Sequence, residues 1–195
     1  MDVVEIGPDR VEDYLALFER AFHDNPDWGG CYCAFYDTPP GQPFDTDADG
    51  PRHREQRRAR IASGSARGLL AYRDGVAVGW CNVAPRSEVA NLRKFAEAIE
   101  DPADQPAVVM CFVIDPDHRG AGVASALLRG AIEVSRRWGA AWLEGYPTNP
   151  DSDLDGLPSS AAFYKGPLRM YLNAGFTISR EIGSWYVVRH DLYAG

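Results

Sequence analysis

Between residues 108 and 138 the hydrophobic period of the chain changes once, and that change predicts the centre of the fold. Residues 108–114, VVMCFVI, are an unbroken apolar run rich in β-branched side chains and bounded by Asp115 and Pro116. A run so short and so apolar predicts a strand buried on both faces. From Val123 onward the apolar positions recur at helical spacing, as Val123, Leu127, Ala131, Val134 and Trp138, with Arg129, Glu133, Arg136 and Arg137 between them. That stripe predicts an amphipathic helix laid on a sheet. The joint between strand and helix reads Arg119-Gly120-Ala121-Gly122-Val123-Ala124.

Residues 3–6 read as a first strand, and Pro8-Asp9 opens a helix with Val11, Leu15, Phe18 and Phe22 on one face. Residues 25–50 mix Pro and Gly with Trp28, Tyr32, Phe35, Tyr36 and Phe44. These aromatic residues predict an ordered loop that either packs on the core or walls a ligand pocket. Residues 51–63 carry Arg52, Arg54, Arg57, Arg58 and Arg60 among few apolar positions, which predicts an exposed helix with a solvated basic face. LLAYR and VAVGWCNV flank Asp74-Gly75, giving a hairpin over 68–83 whose second arm is expected to end at Asn82. Leu92, Phe95, Ala96 and Ile99 predict a helix over 89–100.

Downstream of the central helix, residues 140–146 read as a strand with Trp142, Glu144 and Tyr146 on one face. The intervening helix makes it parallel to the strand at 108–114. A polar loop over 149–160, a short helix from Gly166-Pro167 to Gly175, and a hairpin of 176–180 with 185–190 turning at Gly183 complete the chain. This order predicts an α/β (α+β) fold, a mixed and mostly antiparallel sheet with helices on both faces, in one domain spanning 1–195.

The chain has 195 residues, enough for one substantial core, and a formal net charge of -8. That charge argues against general nucleic-acid binding and suits a cationic substrate. No run has the length of a membrane span, and the acidic N-terminus lacks the form of a signal peptide, so a cytoplasmic location and no membrane partner are expected. Cys31 and Cys33 are spaced too closely for a typical zinc site, and Cys81 and Cys111 sit singly in apolar runs. Free thiols and no metal are the expectation.

A loop with two glycines entering a helix is suited to an anion, because unpaired N–H groups and the positive end of the helix dipole face it. By itself such a loop is equally a tight strand-to-helix connection. The glycine spacing departs from the dinucleotide fingerprint, and the Gly-Lys-Ser/Thr of a phosphate-binding P-loop is absent. The segment resembles the acyl-CoA-binding motif of the GNAT superfamily of N-acyltransferases, in which Arg or Gln, two residues, Gly, one residue and Gly or Ala follow one another. Arg119, Gly122 and Ala124 match it, and Ile114-Asp115-Pro116 matches the strand end before it. Tyr171, four residues before Gly175-Phe176, resembles the second recognisable segment of that superfamily.

The resemblance covers most of 68–190 and implies a GNAT fold with two central splayed parallel strands. It implies direct attack of an amine on the thioester of acetyl-CoA, with no covalent enzyme intermediate. Phe112, Val113 and Ile114 would offer backbone groups to the pantetheine arm and thioester, and Arg119, Gly120, Ala121, Gly122, Val123 and Ala124 would take the pyrophosphate. Tyr171 would protonate the departing thiolate. A proton must be removed before attack, by a side chain or through water, because an alkyl ammonium near pKa 10.4 is neutral in only about one part in a thousand at neutral pH. Glu144 is the candidate base, the sole carboxylate in either central strand, and Asn82, Arg86 and Tyr146 are candidate acceptor contacts. The expected acceptor is a primary amine of a small cationic molecule, the enzyme a monomer or homodimer. The alternatives are an acyl-CoA sensor or other non-catalytic binding protein, and a transferase acting on a protein amine.

Overall fold

The computed structural model of the chain describes residues 1–23, 26–92, 105–149 and 164–193. Among these, seven strands form one sheet: β1 (Asp2–Glu5), β2 (Leu69–Arg73), β3 (Val76–Pro85), β4 (Ala107–Ile114), β5 (Trp142–Gly145), β6 (Thr177–Ile182) and β7 (Trp185–Asp191). Their spatial order is β1-β2-β3-β4-β5-β7-β6. β4 and β5 run parallel, and the other neighbouring pairs are antiparallel. The longer helices are α1 (Val11–Ala21), α2 (Gly50–Ala62), α3 (Val123–Arg137) and α4 (Leu168–Asn173). The mixed sheet predicted from the element order is the sheet observed.

Asp74 and Gly75 have φ of 51° and 78°. Two successive positive φ angles are what a tight turn between right-twisted strands requires, so the β2–β3 hairpin closes there. β3 does not stop at Asn82. A register shift between Asn82 and Val83 absorbs the polar residue as a bulge, and pairing with β4 resumes as far as Pro85. The helix expected over 89–100 and the loop over 149–160 fall mostly outside the described residues, although Val89 and Leu92 pack into the core.

Each face of the sheet is covered by helices whose apolar stripe matches the sequence period. Val123, Leu127, Leu128, Ala131 and Val134 of α3 pack with Leu69, Val78, Cys81, Val109 and Leu143. On the other face Tyr14, Leu15, Leu17 and Phe18 of α1 pack with Leu70, Trp80, Val108 and Met110. Burying each large apolar side chain contributes about 1.5–3 kcal/mol, so these two layers supply most of the driving force.

α2 departs from its expected role. It carries few apolar side chains, and its arginines are neutralised by acids around it: Arg52 by Asp49 (2.7 Å), Arg54 by Glu19 (2.8 Å) and Arg58 by Glu12 (2.6 Å). Arg57 turns inward and is fully buried. Its guanidinium lies 2.5 Å from the Asp37 carboxylate and 5.3 and 5.6 Å from the rings of Tyr14 and Trp80. Burial alone disfavours its charge, but Tyr14, Asp37 and Cys33 outweigh that and move its pKa upward. The helix is therefore anchored by a paired cation stacked on aromatic faces, a contact that apolar periodicity does not report.

Asp37→Ala strands this buried guanidinium, so we expect a loss of about 3–5 kcal/mol in urea denaturation. A loss below about 1 kcal/mol would mean that the pair is screened like a surface salt bridge.

Candidate active site

The turn from β4 into α3 is held from below. Asp115 accepts a hydrogen bond from the Asp117 N–H (3.2 Å) and another from Arg20 Nε (3.2 Å), while a second Arg20 nitrogen donates to the Ala77 carbonyl (2.7 Å). The last turn of α1 is thereby tied to β3 and to this turn. Burial would raise the Asp115 carboxyl, yet Arg20, the Asp117 N–H and His118 together hold it below its ordinary range. A depressed carboxylate pKa contributes stability above the unfolded value and loses it only as pH falls through the folded value. The clamp therefore persists through neutral and mildly acidic pH.

Above this support the loop is open. Gly120 and Gly122 have φ of 73° and 79°, a conformation that side chains rarely adopt. No side chain caps the N-terminus of α3 at Gly122, and a Cβ on either glycine would meet nothing within 4 Å. Arg119, Gly120, Ala121 and Gly122 are exposed, Ala124 is half-buried, and Val123 turns into the core. A helix N-terminus without a cap, ringed by exposed backbone, has the geometry of an anion site.

β4 and β5 pair only through Ala107–Leu143, Val108–Glu144 and Val109–Gly145. Beyond Gly145 the chain turns toward β7, with the Tyr186 N–H on the Pro147 carbonyl and the Asn149 N–H on the Ser184 carbonyl, both at 2.9 Å. The rest of β4 is not paired with β5, and among the described residues, 164–167 enter the gap. The Phe112 N–H donates to the Tyr164 carbonyl at 2.6 Å, and Pro167 bridges to Thr148 on the far side. Alternation along β4 turns the Ile114 N–H the same way as that of Phe112 and the Val113 N–H toward β3.

Tyr171 comes to the same gap from α4. It is fully buried, and its hydroxyl donates to the Lys165 carbonyl at 2.7 Å. Gly145 makes room for its ring, since a Cβ there would stand 2.3 Å from Tyr171 Cε1. Burial pushes the phenol well above its ordinary pKa, so it holds its proton. The Phe112 N–H and the Tyr171 O–H thus converge on one short stretch of chain.

Glu144 is fully buried on the α1/α2 side of the sheet. Arg189 donates to Oε1 through two nitrogens (2.7 and 2.6 Å), Tyr146 donates to Oε2 at 2.8 Å, and Arg86 lies 3.7 Å from Oε2. Burial first, then the adjacent carboxylate, raises the Tyr146 phenol. Lys165, fully buried, places its ammonium 4.2 Å from the Trp185 ring, 5.6 Å from Tyr164 and 5.7 Å from Tyr146. Trp28 extends the aromatic group against Tyr164 at 5.6 Å. On the same face Asn82 donates to Cys33 Sγ at 3.1 Å. A hydrogen bond from Cys111, opposed by burial and aided by Arg57 and Asn82, brings the Cys33 thiol down to about 7, while burial takes Cys31 up to about 12.

The model of the acetyltransferase (GNAT) family matches residues 31–164, more than half of the chain. The chain belongs to the GNAT acetyltransferase family. No curated protein sequence matches it significantly. Solved structures similar to it include a GNAT-family acetyltransferase from Streptococcus pneumoniae, 16% identical with a TM-score of 0.54 over 97% of this chain and 98% of that one. A putative acetyltransferase from Salmonella typhimurium, solved with its cofactor acetyl-CoA, is 14% identical with a TM-score of 0.51 over 100% and 95%. A PaiA N-acetyltransferase from Thermoplasma acidophilum in complex with coenzyme A is 13% identical with a TM-score of 0.53 over 98% and 99%. At such identities the likeness is one of fold.

Acetyl-CoA is the acyl donor of the GNAT family, and the residues expected to meet it fall into two neighbouring groups in this chain. Arg119 to Ala124 span the open loop and first turn of α3, and Phe112 to Ile114 lie on the stretch of β4 that has parted from β5, beside Tyr171. Asn82, Arg86, Glu144 and Tyr146 share the opposite face from α3. Of the aromatic loop, Tyr36 joins the core together with Cys33, and Trp28 lies against Tyr164. Sequence reasoning missed Arg20, Lys165, Trp185 and Arg189. Period-two alternation along β7 put Trp185 and Arg189 on one face, but their partners required the β5–β7 register, in which Glu144 faces Arg189.

We expect Gly122→Asp to lower acetyl-CoA affinity at least ten-fold in calorimetry, because a carboxylate in a left-handed position strains the turn and repels the pyrophosphate. A folded variant that binds as the parent does would remove this loop from the cofactor site.

Proposed function

We propose that the chain is an N-acetyltransferase that moves the acetyl group of acetyl-CoA to the primary amine of a small cationic acceptor by direct attack. The observation that carries this reading is the convergence of the Phe112 N–H and the Tyr171 O–H on the gap between β4 and β5. A thioester there would take the N–H on its carbonyl oxygen, where negative charge develops during attack. Tyr171, kept protonated by burial, would donate to the departing sulfur. The α3 loop would hold the pyrophosphate, and the pantetheine arm would follow the edge of β4 at Phe112 and Ile114, with Val113 bonded to β3.

The acceptor side lies across the sheet from α3. Trp185, Tyr146 and Tyr164 surround an ammonium there already, that of Lys165, which favours a cationic amine as the external acceptor. Strand position made Glu144 the candidate base. Its oxygens already accept from Arg189 and Tyr146, so a proton taken up would displace one of those bonds. We therefore assign Glu144 to holding Arg86, Arg189 and Tyr146 in place, with the amine losing its proton to solvent before attack. A sensor that binds acyl-CoA without turnover would need the anion loop but no proton donor at the thioester, so Tyr171 favours the enzyme.

A panel of primary amines with acetyl-CoA, followed by release of free thiol, tests the reading in one experiment. Turnover with a small amine is expected, and Tyr171→Phe should lower kcat by roughly ten- to a thousand-fold while keeping acetyl-CoA affinity. Glu144→Gln should lower the rate evenly across pH. A deficit confined to acidic pH would return the base role to Glu144, and tight acetyl-CoA binding without thiol release from any amine would make the chain a sensor.

A further inference from the structure

The chain holds 20 Lys and Arg residues, yet only Lys94 and Lys165 are lysines. Arginine cannot serve as an acyl acceptor at neutral pH because it stays charged, whereas a lysine can be deprotonated and attack. Lys165 is fully buried, its backbone lies in the gap where the proposed chemistry occurs, and its ammonium sits beside that gap among Trp185, Tyr146 and Tyr164. Its own carbonyl accepts the Tyr171 hydroxyl, and the carbonyl before it accepts the Phe112 N–H.

We propose that Lys165 is itself an acyl acceptor, a site of self-acetylation on its ε-nitrogen. This rests on the transferase reading of the same gap. Entry of the thioester exchanges the Phe112 N–H and the Tyr171 O–H from the two carbonyls to the thioester oxygen and sulfur. Gly166, at φ 82°, is the residue about which the short stretch can turn while the lysine arm stays in its aromatic box. The ammonium releases one proton to solvent, and the neutral nitrogen attacks the acetyl carbon. A C–N bond forms, the C–S bond breaks, the thiolate takes the phenolic proton of Tyr171, the nitrogen loses its second proton to solvent as the amide forms, and Tyr171 is restored from solvent. The products are Nε-acetyl-lysine, free CoA thiol and one proton.

The surroundings suit the product as well as the reactant. The ammonium lies against the faces of Trp185, Tyr146 and Tyr164, a setting that favours a cation. Acetylation replaces it with a neutral amide whose methyl group packs on the same rings.

The test is the intact mass of the full chain during incubation with acetyl-CoA alone, followed by peptide mapping. We expect one acetyl group per chain, at Lys165 and resistant to hydroxylamine, as an amide is and a cysteine thioester is not. Lys94→Arg should leave the modification unchanged, Lys165→Arg should abolish it, and Tyr171→Phe should slow it at least ten-fold. Equal labelling of Lys94 and Lys165, or labelling of the heat-denatured chain at the same rate, would overturn the inference by showing solution chemistry. An unmodified Lys165 in a chain that acetylates the amine panel would overturn it and leave the transferase standing. Failure of both reactions would bring down both readings.

Discussion

β4 and β5 are hydrogen-bonded over three residue pairs and then part, and the local structure around the gap follows from what satisfies the remaining edge of β4. A buried strand edge cannot leave its N–H groups unpaired without cost. Here the Tyr164 carbonyl meets the edge at Phe112, and Pro167 closes the other side against Thr148. Gly145 ends β5 without a side chain, so the Tyr171 ring can lie where a Cβ would stand. On the proposed reading, a thioester accepting from the Phe112 N–H and from Tyr171 takes the place of the chain's own carbonyls.

Polar groups are sorted by face. The α3 side of the sheet is almost entirely apolar, with the open loop at its end, and the α1/α2 side holds Arg57, Asn82, Arg86, Glu144 and Lys165. Buried charges in such numbers cost stability unless each is met by a partner or an aromatic face. Arg57 has Asp37 with two rings, Glu144 has Arg189 and Tyr146, and Lys165 has Trp185.

The parts of the fold legible in the sequence are those governed by short-range pattern. β4 was readable as an unbroken apolar run, α3 as a stripe, and the β2–β3 turn as Asp74-Gly75, because each depends on residues within one element. β3 was read three residues short, since a bulge is a relation between strands and Asn82 carries no sign of it. Arg57 looked like its neighbours in α2 because a charged side chain gives the same pattern whether it faces water or a stack of rings. Lys165 gave no signal at all. Its burial depends on residues 146 and 185 meeting residue 164 across the sheet, a long-range arrangement that neither period nor composition encodes.

The proposed course of the reaction makes the Phe112 N–H and the Tyr171 O–H change partners when the donor binds. A crystal structure of the chain with acetyl-CoA tests this most directly. The account predicts the pyrophosphate on the loop from Arg119 to Ala124, the thioester oxygen on the Phe112 N–H, the sulfur beside the Tyr171 hydroxyl, and the carbonyls of Tyr164 and Lys165 released from both. Acetyl-CoA bound with its thioester outside the gap, with the Phe112–Tyr164 and Tyr171–Lys165 bonds intact, would contradict it.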